Sequence, residues 1–221
     1  MKFPQASDGI KNIYLGVLFY LIAAGIGALA SLLSLIFGDE GGVLAVLFVI
    51  MSVSVILLLI ANFVFQLIGT FKNKDVDINF LYAFICLIVT LAVSILNLIV
   101  SSSVANAVFS VVGTAASVLT VYFVLTALIN LFNADSVEGY AEEAIKTRLI
   151  VMICLIVAGV LSVAQVFMRT AELRVVHNIL YLIESLATLA GIIIYFLFLK
   201  KVNDNLVEAQ TVKEEKEEVA E

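Results

Sequence analysis

The chain has 221 residues, of which 63% are hydrophobic and 14% charged, and it carries a net charge of −6. A soluble domain holds about 45–50% apolar and about 25% charged residues, so this balance excludes a water-soluble globule. Twelve Lys and Arg residues are scattered singly or in pairs, which leaves no basic patch for nucleic acid.

A bilayer crossing takes about 20 predominantly apolar residues to cover roughly 30 Å of hydrocarbon. The sequence therefore predicts an all-α, polytopic integral membrane protein with six spans at 13–37, 43–71, 78–101, 104–132, 149–168 and 175–199. Residues 1–12 form a short leading segment, 13–201 the transmembrane domain, and 202–221 an acidic tail.

The first span has some features of a secretory signal. Lys2 and Lys11 precede an apolar run, and Ala28-Leu29-Ala30 fits a cleavage site. The run continues past Ala30 to Phe37, however, and residues 1–12 are a long lead that contains an acid. The first span is therefore expected to be retained.

The stretch from Ile78 to Phe132 is 55 residues without a charge, too long for one crossing. Ser101-Ser102-Ser103 and Asn106 are the residues best suited to solvate a turn there. The connection from Asn133 to Arg148 is the longest. Asp135 followed by Glu138 resembles a capping box. Val137, Tyr140, Ala141, Ala144 and Ile145 then share one helical face, with Glu138, Glu142 and Lys146 on another. This pattern predicts a short surface helix or an extension of span 5. The tail from Val202 to Glu221 has too little apolar content to pack and is expected to continue briefly as helix and then become disordered.

The cations set the topology. With a cytoplasmic N-terminus, that side holds Lys2, Lys11, Lys72, Lys74, Lys146, Arg148, Lys200, Lys201, Lys213 and Lys216, and the other holds Arg169 and Arg174. By the positive-inside rule both termini are expected in the cytoplasm of a prokaryotic cell.

Residues 84–94 (FICLIVTLAVS) and 152–162 (MICLIVAGVLS) agree at six of eleven positions, including Cys86 and Cys154. A weaker third copy falls on the first span. Three helical hairpins built from one unit of about 67 residues are therefore expected. Small residues at Ala23, Gly27 and Ser31, at Gly113 and Ser117, and at Ala158 and Ser162 recur every four positions. Such faces allow close helix approach where lipid removes the hydrophobic drive between spans.

Glu184 is the only carboxylate set deep within a span. Ionised groups near mid-bilayer cost about 2.5–3.5 kcal/mol on insertion scales for residues such as Asp, and they mark pathways or relays by default. His177, Tyr181, Glu184 and Thr188 recur at spacings of 4, 3 and 4 and form one polar stripe. Gln165 lies at a similar depth on span 5, and the short connection after it makes spans 5 and 6 antiparallel neighbours. A Gln165–Glu184 hydrogen bond is thus expected. Ser31, Ser94, Asn97 and Ser117 fall in a similar layer. Asn62 and Gln66 are expected to bond to another helix, and Arg169, Glu172 and Arg174 line the outer loop.

One histidine and two cysteines within apolar runs predict neither a metal site nor a disulfide framework, and no cofactor motif is present. Glu142-Glu143 followed by Arg148 is similar to the paired-glutamate and arginine motif of membrane-embedded CAAX-type proteases. The spacing is one residue too long, and the two histidine motifs of that family cannot exist with His177 alone. Nothing resembles a Walker loop or a nucleophile elbow. The expected function is a non-catalytic scaffold, regulatory or partner-binding membrane protein, with the bilayer and a membrane or cytoplasmic protein as partners. The alternative is a small transporter or proton-coupled channel that uses Glu184. No substrate is specified.

Overall fold

The computed structural model describes residues 4–37, 43–100, 103–134, 139–167 and 174–218. After a single 3-10 turn at Pro4–Ala6, the described residues form six helices: α1 (Ser7–Phe37), α2 (Val43–Lys72), α3 (Ile78–Ile99), α4 (Ser103–Ala134), α5 (Tyr140–Phe167) and α6 (Arg174–Glu218). All six are long and apolar enough to cross a membrane. In hydrocarbon each backbone N–H and C=O must find its partner within its own segment, which is why such apolar runs become helices.

Local signals set the ends. Asp77 takes an extended backbone at the start of α3, and its carboxylate accepts the Asn79 N–H at 2.8 Å. Its side chain thus satisfies one of the orphan donors of the first turn. Val100 ends α3 in an extended conformation, with its N–H on the Leu96 carbonyl. Asn106 stands inside the first turn of α4, so the reversal falls between Ile99 and Ser103 and does not include it. Ahead of α5, Gly139 has φ +84°, a left-handed conformation that glycine adopts at little cost. Its carbonyl receives the Glu143 N–H at 3.1 Å. The amphipathic stretch from Tyr140 is therefore the first turns of α5, while Asp135–Glu138 lies outside the described residues. α6 continues past Leu199 as far as Glu218, where the sequence pointed to an early end of helix. The tail's Glu, Lys, Gln and Ala are good helix formers even where they have nothing to pack against.

Neighbours follow chain order, and α6 closes the bundle by packing on α1. The most extensive contacts are within the pairs α1–α2, α3–α4 and α5–α6, and the thinnest seam is between α2 and α3. Phe71 and Phe84 meet across that seam, with ring centroids 5.4 Å apart. Any up-and-down bundle pairs its neighbours in this way, so the pairing alone does not make the hairpins copies of one unit. Both Ser7 and Leu199 lie at the same end of the bundle, called the base below. The core sits there. Ile10 and Ile13 of α1, Phe80 of α3, Leu128 and Phe132 of α4 and Leu199 of α6 are fully buried in one cluster. At the opposite end side chains turn outward, and Leu98 is 87% exposed. Apolar exposure of this kind has no penalty in lipid.

The close helix approaches fall on glycines other than those the four-residue spacing picked out. A Cβ at Gly69 would lie 2.6 Å from the Gly9 carbonyl oxygen, and one at Gly16 would lie 2.9 Å from the Asn62 carbonyl oxygen. Gly9 itself lies against the Asn73 side chain, whose amide donates to the Ala6 carbonyl at 3.2 Å. These residues draw α1 and α2 together near the base. Ala23 is buried, but a Cβ at Gly27 would meet nothing within 4 Å. Between α4 and α5 the close approach is Gly159 on Thr114, where a Cβ would come to 2.6 Å.

Candidate functional site

α5 and α6 place Gln165 and Glu184 opposite one another. The Gln165 amide Nε2 donates to Glu184 Oε2 at 2.6 Å. Gln165 is buried and Glu184 is half-buried. The register follows from antiparallel packing. Lower on the same interface Gly191 meets Cys154, and at the base Lys201 Nζ pairs with Glu143 Oε2 at 2.6 Å. On α5 the three contact residues are 11 positions apart, about three turns each, so one face of that helix carries both the hydrogen bond near its far end and the ion pair at the base.

The rest of the expected stripe does not converge on this bond. Tyr181 is exposed and Thr188 half-buried. The side chain of His177 lies outside the described residues, as do Arg169, Glu172 and the side chains of Arg174 and Ser31. Ser94 and Ser117 each donate to a carbonyl of their own helix, Thr90 at 2.8 Å and Gly113 at 3.0 Å. Such back-bonding uses the hydroxyl proton within its own helix. Asn97 is exposed. Asn62 and Gln66 also bond to each other along α2, instead of to another helix. Gln66 fills the space beside Gly16 with its aliphatic stem.

Tyr20 is a member that sequence reasoning missed. It stands on α1, near Glu184 of α6. Its placement depends on α6 closing on α1, a contact between the first and last helices that no sequence spacing encodes. One turn and a half before it, Tyr14 stacks on Phe196 with centroids 5.3 Å apart, which seals the same interface towards the base.

Below Glu184 the bundle interior is mostly apolar, with Thr120 and Thr147 the buried polar residues of α4 and α5 there. Val124, Leu125, Leu128, Val151 and Leu199 are fully buried. The Tyr195 hydroxyl is buried among them without a hydrogen-bond partner. Among the described residues, no three His, Cys, Asp or Glu side chains gather into a set that could hold a metal ion.

Comparison with protein-family models, with curated proteins and with solved structures finds no match.

Proposed function

We propose that this chain is a non-catalytic membrane protein that scaffolds, regulates or assembles with a partner, and that its base faces the cytoplasm. The Gln165–Glu184 bond carries this proposal: Glu184 accepts from a buried amide on the neighbouring helix, as a carboxyl does when it holds two helices in register. The packed apolar base supports it, since a polar route from Glu184 to that end would have to pass Leu125, Leu128 and Leu199. The cytoplasmic assignment of the base rests on its cations, with Lys72, Lys146, Arg148, Lys200 and Lys201 all at that end. A common origin of the three hairpins belongs to the same proposal and rests on the match between residues 84–94 and 152–162.

The alternative, a proton-coupled carrier using Glu184, is favoured by one observation. Glu184 is not fully buried, and Tyr20 on α1 lies near it. Reconstitution into liposomes separates the two. The scaffold proposal expects no proton-coupled flux from the wild-type protein across a broad substrate panel. Flux that disappears in Glu184→Gln would overturn it in favour of the carrier. Tags on both ends in intact cells test the orientation, and tags found on opposite faces would contradict it.

A further inference from the structure

Arg148 is held at the base by a hydroxyl and an aromatic ring of the neighbouring helix. Its Nη1 donates to Thr126 Oγ1 on α4 at 3.0 Å, and its guanidinium lies 5.1 Å from the centroid of the Tyr122 ring. The Thr126 hydroxyl proton is already given to the Tyr122 carbonyl at 2.7 Å, so its oxygen is free to accept. The guanidinium is thus positioned across the groove between α4 and α5, with one face against a ring.

No carboxylate among the described residues lies within ion-pair distance of Arg148. The acids around it have other partners. Glu142 pairs with Lys146 at 3.1 Å and Glu143 with Lys201 at 2.6 Å. Asp77 accepts from Asn79 and from Asn130 of α4. Arg148 therefore keeps its full charge and its Nε–Nη2 edge, a planar pair of donors that matches two oxygens of a phosphate.

Its depth identifies what carries that phosphate. From Arg148 to Phe167, α5 rises about 28 Å at ~1.5 Å per residue, close to the ~30 Å of a hydrocarbon core. Arg148 stands at the lower edge of that slab, at the level of lipid headgroups. Beyond it towards the bilayer, Leu119 of α4 lies one turn from Tyr122 and is exposed and apolar, and Met152 of α5 lies one turn from Arg148 and is half-buried, as an acyl chain requires.

We propose that the groove between α4 and α5 at Arg148 binds a phosphate group presented by an anionic phospholipid. Arg148 grips the phosphate, Thr126 and Tyr122 position the guanidinium, and the apolar surface beyond accommodates a chain. This site is independent of Glu184 and of the scaffold proposal.

The test is native mass spectrometry of the purified full-length protein with phosphatidylglycerol or phosphatidylcholine added in turn. The wild-type protein is expected to retain phosphatidylglycerol about fivefold more strongly. Arg148→Gln is expected to abolish the preference. Arg148→Lys keeps a point charge without the fork and is expected to fall between them, so it carries the test where the glutamine variant fails to fold. Equal retention of the two lipids by the wild type, or an unchanged preference in both variants, overturns the site. Displacement of the lipid by inorganic phosphate alone overturns the lipid assignment.

Discussion

Gln165 and Glu184, on helices joined by a short connection, meet through a 2.6 Å hydrogen bond towards the end of the bundle opposite the base, two residues before the end of α5. The contact is between side chains alone, and its strength depends on what lipid offers each group when they part. Interhelical polar contacts in membranes average about 0.6 kcal/mol and reach about 1.7. Gln165→Leu removes the donor and is expected to cost about 0.6–1.7 kcal/mol in unfolding titrations in detergent. Glu184→Gln retains an oxygen that can accept the same bond and is expected to unfold at the wild-type midpoint.

The α1–α2 contact gives a sharper contrast between two glycines. A Cβ at Gly69 would meet the Gly9 carbonyl at 2.6 Å, whereas one at Gly25 would meet nothing within 4 Å. Backbone cannot move aside as a flexible side chain can, so Gly69→Ala is expected to lower stability by about 1–3 kcal/mol. Gly25→Ala is expected to be neutral or stabilising by up to about 1 kcal/mol, the gain in helix propensity. Thermal unfolding of the two variants side by side checks both.

Asp77 serves α3 and α4 together, by capping one and accepting Asn130 of the other at 3.0 Å. Asp77→Ala removes both contacts and is expected to cost about 1–2 kcal/mol, at the upper end for an N-cap. Asp77→Asn keeps an oxygen for the cap and is expected to recover most of that loss. Hydrogen exchange at the first amides of α3 would report the cap directly. Unchanged protection there in the alanine variant would contradict it.

Large side chains at the two ends of the bundle differ in consequence. Phe132 is 1% exposed, lies between Tyr140 and Phe198, and belongs to the base core. Phe132→Ala is expected to fall towards the low end of the ~3–5 kcal/mol seen for such truncations, because lipid supplies no hydrophobic drive and only packing is lost. Leu98, exposed at 87%, is expected to tolerate alanine with no measurable change in the unfolding midpoint.

The spans were legible because twenty apolar residues in a row leave one solution, and the Gln165–Glu184 register because the short connection at 168–173 fixes how two helices align. Tyr20 was not legible, since its approach to Glu184 needs the closure of α6 on α1, which depends on the whole bundle. The glycine contacts were misplaced for a different reason. Ala23, Gly27 and Ser31 repeat every four residues as a packing face should, but spacing records that a helix is smooth on one side and not whether a neighbour lies there. Gly9, Gly16 and Gly69 sit near the base, where Asn73 and Gln66 also fill the interface. The length of α6 beyond the expected brief extension was not legible, because low apolar content forbids packing without forbidding helix.

The closing contact also orders the birth of the protein. α1 emerges from the ribosome first and finds α2 at once, but its other flank, with Tyr14 waiting for Phe196, stays bare until the sixth helix has been synthesised. A chain that ends before α6 leaves that flank of α1 uncovered.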